Sequence, residues 1–166
     1  MIRELFTKPI LIFGCGNVLF GDDGFGPAAI EHLHQHHDLP ETIMAEDVGT
    51  SIGEFLFDLA ISPERPERIF ILDAVSLPDR QPGEVFELPI DQVPGQKSGD
   101  FCMHQFPSIN LLQELRDEGG VDVRILAVQI GEIPEEVCPG LSEAVQSAIP
   151  KACAWLLGEI GVSVRC

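Results

Sequence analysis

Basic residues are scarce in this 166-residue chain: ten Lys and Arg stand against 27 Asp and Glu, a formal net charge of -17 at pH 7. So acidic a surface repels nucleic acid and anionic membranes, so neither is expected as a partner. A neutral or basic protein segment suits it better. The acids are spread along the chain and not gathered in a tail, so most of them read as a solvated face that aids solubility. No cysteine pairing pattern is present either. Cys15, Cys102, Cys138, Cys153 and Cys166 make an odd count without a C-x-x-C pair, which indicates neither a disulfide framework nor a zinc knuckle. Reduced thiols fit a cytoplasmic protein. The first apolar run, Pro9 to Phe13, is too short for a signal-peptide core or a membrane span, so the expected location is the cytosol with no membrane partner. Internal repeats and low-complexity tracts are absent too.

Two familiar fingerprints also fail. Gly14-Cys15-Gly16 begins like the dinucleotide motif G-x-G-x-x-G, but the third position is Leu19. Asp22-Asp23 moreover stands where a pyrophosphate needs helix N–H groups and no negative charge. His32, His34, His36 and His37 crowd one helix end without the H-E-x-x-H zinc pattern. At the last turns of a helix they read as partners of its dipole.

What is present is an alternation of strand and helix in a single domain, residues 1–166. Apolar runs or period-two patterns predict strands over 9–13, 42–47, 68–75, 84–88 and 122–130, the fourth an antiparallel edge. Helical periodicity predicts helices over 28–37, 52–61, 109–118 and 143–157, with Ser51, Ser108 and Ser142 as N-caps. Pro150 is expected to kink or divide the last of them. The fold class that follows is α/β: a three-layer sandwich with a twisted, mixed, mostly parallel five-stranded sheet and helices on both faces.

Three side chains stand out. The glycine-rich turn after the first strand holds Asp22 and Asp23, of which Asp22 is expected to cap the next helix and Asp23 to face a cleft. Asp73 closes the apolar stretch of the third strand, where a parallel sheet delivers residues to the crevice at its carboxyl edge. His104 is the one histidine outside the first helix, in a loop before another helix. Val48-Gly49-Thr50-Ser51 forms a second glycine turn that should flank the first and offer backbone N–H groups to a peptide or ligand oxygen. Two carboxylates and an imidazole make an open ligand set for a divalent transition metal, or a metal-free acid–base pair. The residues leave both alternatives open.

The run Gly16-Asn17-Val18-Leu19-Phe20-Gly21-Asp22-Asp23-Gly24-Phe25-Gly26, followed by Gly49-Thr50, Leu72-Asp73-Ala74 and Met103-His104-Gln105, resembles the hydrogenase maturation endopeptidases over nearly the whole chain. Within that family the Phe20 to Gly26 turn and the Cys102-Met103-His104 loop are similar to archaeal accessory proteins of deazaflavin-reducing hydrogenases. The resemblance implies a monomeric protease that removes the C-terminal extension of a nickel–iron hydrogenase large-subunit precursor. Nickel would arrive with that precursor, and Asp23, Asp73 and His104 would contact the metal and carry the catalysis. Two competing readings are a nickel-dependent chaperone that holds the precursor uncut, and a metal-dependent amidase of another substrate.

Overall fold

The computed structural model describes residues 7–93 and 106–163. Strand β1 (Ile10–Cys15) is followed by a 3-10 turn (Gly21–Gly24) and helix α1 (Phe25–His36), then β2 (Ile43–Gly49), α2 (Ile52–Ile61) and β3 (Arg68–Val75). The second half contains β4 (Val85–Leu88), a short 3-10 turn (Ile90–Gln92), α3 (Phe106–Asp117), β5 (Asp122–Gln129) and α4 (Glu143–Ile160). The five strands form one sheet in the order β2-β1-β3-β5-β4. Every neighbouring pair is parallel except β4 with β5, so the expected antiparallel edge is present.

Alternation along the strands builds two cores, because successive side chains leave a strand on opposite faces. Leu11, Phe13, Ile69 and Ile71 pack on one face with Ile52, Leu56 and Leu59 of α2 and Leu112 and Leu115 of α3. Ile12, Phe70 and Leu72 pack on the other with Phe25, Ile30 and Leu33 of α1 and Val145, Ile149 and Leu156 of α4. Burial of these side chains, each worth about 1.5–3 kcal/mol, makes the arrangement a three-layer sandwich. A strand slipped by one residue would exchange the two cores' contents, so the register is firmly set.

The first helix begins earlier than its periodicity suggests, at Phe25, because Gly26 and Pro27 are accommodated in its first turn. Two predicted caps differ from expectation. Ser51 precedes α2 without a side-chain cap bond, and α3 starts at Phe106, so Ser108 lies inside it. Ser142 does cap α4: its Oγ accepts the Val145 N–H at 3.3 Å. Pro150 does not divide that helix, which continues through it to a left-handed Gly161 at φ 90°. No helix among the described residues is long and apolar enough to cross a membrane.

Candidate active site

The sheet order places a topological switch between β1 and β3. From β1 the chain moves to β2 on one side, then crosses back to β3 on the other. At such a point the connections diverge to opposite faces and leave a crevice at the carboxyl edge. The β1–β3 pairing ends at Gly14 opposite Leu72, so Cys15 and Asp73 are the next residues on the two strands. By period two both lie on the face covered by α2 and α3, side by side at the mouth of the crevice.

Asp23 reaches the same place from the turn after β1. Its Oδ2 accepts the Asn17 N–H at 3.0 Å, and the Asn17 Oδ1 accepts the Leu19 N–H at 3.0 Å. The turn closes around the carboxylate through an Asx bond from Asn17. Gly16 makes this possible: it has φ +134°, and a Cβ on it would stand 1.9 Å from the Asp23 carbonyl oxygen. Asp23 and Asp73 are both buried, at 6% and 3% exposure. The Asp73 Oδ1 accepts the Ala74 N–H at 2.9 Å.

Cys15 reports how these carboxylates converge. Burial pushes its thiol well above the usual range, and Asp73, Asp47 and Asp23 each raise it further through their negative charge. A thiol so placed stays protonated at neutral pH and is no nucleophile. Asp47 is the member missed from sequence; its signal was an acid at the carboxyl end of β2, two residues before the Gly49 turn. That turn does flank the first, with the Gly16 N–H donated to the Gly49 oxygen at 2.9 Å. Two of its own N–H groups are committed inside the protein, Gly49 to the Asp47 Oδ1 and Ser51 to the Val48 oxygen, both at 2.9 Å.

Asp22 is not the cap of α1, which has no side-chain cap bond. It points the other way and holds α4: its Oδ1 accepts the Ser142 N–H at 2.7 Å and its Oδ2 accepts the Ser142 hydroxyl at 2.9 Å. One carboxylate thus ties the site turn to the start of a helix 120 residues away. Asp22→Ala should cost about 2–3 kcal/mol, because charged hydrogen bonds are lost and a backbone N–H is left without its acceptor. In a thermal melt this is expected as a fall in Tm of roughly 4–10 °C.

His104 lies outside the described residues. The helix that follows it begins two residues later, at Phe106. That helix leads to the amino edge of the sheet, where the Asp122 N–H binds the Glu67 oxygen, and its 12 residues span about 18 Å back toward the carboxyl edge. Among the described residues no group of three or more His, Cys, Asp or Glu could hold a metal ion. The helical histidines have structural partners: the His34 Nε2 lies 2.8 Å from the Ala45 oxygen. His32 and His36 stack edge to face at 4.2 Å.

Comparison with known proteins agrees with this architecture. A family model described as HycI, hydrogenase maturation protease, matches residues 27–159. Coenzyme F420 hydrogenase subunit delta of Methanothermobacter thermautotrophicus is 35% identical over 162 residues, which is 95% of this chain and 98% of that one. The structure of the hydrogenase maturating endopeptidase HybD from Escherichia coli superposes with a TM-score of 0.71 at 28% identity, covering 93% of each chain. The [NiFe] hydrogenase maturation protease HybD from Thermococcus kodakarensis superposes with a TM-score of 0.65 at 26% identity, over 94% of this chain and 100% of that one. With a family match across residues 27–159 and the same fold, the chain belongs to the hydrogenase maturation protease family.

Proposed function

We propose that this protein is the endopeptidase that removes the C-terminal extension from the large-subunit precursor of a nickel–iron hydrogenase, with Asp23, Asp73 and His104 as its site. The observation that carries the proposal is the placement of two buried aspartates, from β3 and from the turn after β1, at the crevice between β1 and β3 of a sheet built like the maturation proteases. His104 joins them by the resemblance of Met103-His104-Gln105 to the family's motif, and it precedes a helix packed on the same face as Asp73.

Nickel enters as part of the substrate. Two carboxylates and an imidazole suit a borderline divalent ion and leave positions open for groups that the precursor brings. The chemistry asked of the protein is addition of water to the scissile carbonyl carbon, followed by rupture of the C–N bond. An aspartate takes the proton from the water, and the departing amine takes one in return. The protonated Cys15 thiol beneath them is a bystander, so the proposed protease is not of the cysteine type. The enzyme acts in the cytoplasm as a monomer, on a folded protein and on neither nucleic acid nor membrane. The likeness to subunit delta of coenzyme F420 hydrogenase supports a deazaflavin-reducing hydrogenase as the source of the precursor.

The nickel requirement is tested by incubating nickel-loaded and nickel-free precursor side by side with the protein. Shortening of the loaded form alone is the expected result. Equal cutting of both would remove nickel from the recognition step.

A further inference from the structure

Six large apolar side chains stand exposed among the described residues, and four of them, Val18, Leu19, Ile133 and Val137, belong to just two loops. These loops are the site turn after β1 and the segment between β5 and α4, and they are stitched together. The Cys138 N–H is donated to the Leu19 oxygen at 2.8 Å, the Gly21 N–H to the Cys138 oxygen at 2.9 Å, and Phe20 and Cys138 form a parallel bridge. Pro134 packs so closely on Gly21 that a Cβ there would be 3.0 Å from its ring. Val18, Leu19 and Val137 are 53%, 45% and 63% exposed, yet the backbone beneath them is pinned. A fixed apolar patch beside a cleft marks an interaction surface more often than a scattered exposed residue does.

Its surroundings say what it fits. Glu132, Glu135 and Glu136 are exposed between the apolar residues of the second loop. Val18 also lines a cavity of about 430 Å3 whose other walls include Glu31, Glu46 and Asp47. We propose that Val18, Leu19 and Val137 form the docking surface for a segment of the precursor polypeptide in which apolar residues alternate with basic ones. The inference rests on the reading of the chain as a precursor-processing protease and adds the surface by which it grips that substrate. Asp23 follows Leu19 in the same turn and is held there by Asn17, so a segment seated on this patch lies next to the carboxylates. A second copy of the chain is a poor occupant, because each copy carries a charge of -17.

The test uses the double variant Leu19→Ser/Val137→Ser, whose exposed side chains carry little of the core. With nickel-loaded precursor, the concentration giving half-maximal cleavage is expected to rise tenfold or more, while the rate at saturation stays within about twofold. Phe57→Ser/Ile61→Ser on α2, equally exposed but distant in the chain, should change neither. An unchanged half-maximal concentration in the first variant, or a loss confined to the second, overturns the docking surface. A wild-type dimer that the first variant converts to monomer overturns it as well. Precursor binding is measured separately by surface capture. A wild-type protein that binds without cutting, and loses that binding in the first variant, supports the docking surface while refuting the protease reading.

Discussion

Asp23→Asn should lower single-turnover cleavage of the nickel-loaded precursor by about 10²–10⁴-fold, the usual range for loss of a positioned acid–base group. The substitution is nearly isosteric, and the amide oxygen still accepts the Asn17 N–H that holds the carboxylate at 3.0 Å. What vanishes is the negative charge and the capacity to take a proton. The melting temperature should accordingly remain within about 3 °C of the wild type, since a surviving hydrogen bond leaves less than about 1 kcal/mol to lose. Asp73→Asn should behave alike, because its Oδ1 bond to the Ala74 N–H needs only an acceptor. A variant that cuts within threefold of the wild type would remove that aspartate from the chemistry, and stopped-time gels over a range of enzyme concentrations suffice to see it.

Gly26→Ala is expected to be strongly destabilising. The added Cβ would stand 2.2 Å from the Cys15 oxygen, 2.4 Å from the Cys15 nitrogen and 2.6 Å from the Leu72 oxygen. All three are backbone atoms of central strands, which cannot swing aside as a side-chain tip can. Helix α1 must back away from β1 and β3 together, and overpacking of this kind costs about 3 kcal/mol or more. Tm should fall by roughly 6–12 °C. Because the turn that carries Asp23 runs directly into α1, cleavage should suffer beyond the loss of folded protein. Gly158→Ala offers the contrast, since a Cβ there meets nothing within 4 Å and the residue lies inside α4. Exchanging glycine for alanine in a helix gains about 0.5–1 kcal/mol, so this variant should melt slightly higher.

The sheet was legible because its signals are local. The apolar run 69–72 suits a strand covered on both faces, and Val85–Leu88 pairs antiparallel at the edge. Asp73 was legible for the same reason, as a carboxylate where such a run meets the crevice. The caps were harder. Asp22 has the residue type and position of a helix cap, yet its partner is Ser142, 120 residues on, and sequence spacing contains nothing of that contact. Asp47 was hidden likewise, because its effect on Cys15 depends on β2 lying beside β1, a neighbourhood set by topology. The turn around Asp23 lies between these extremes. Its glycines announced a tight bend, whereas the Asp23 carbonyl oxygen that leaves no room for a Cβ on Gly16 is visible only in three dimensions.

The most direct test of the account is the intact mass of a nickel-loaded large-subunit precursor before and after incubation with this protein, with the Asp23→Asn variant run in parallel. The wild type is expected to release one C-terminal peptide and leave a correspondingly lighter subunit, and the variant to leave the precursor whole. A precursor that binds the wild-type protein and keeps its full mass would contradict it and identify a chaperone instead.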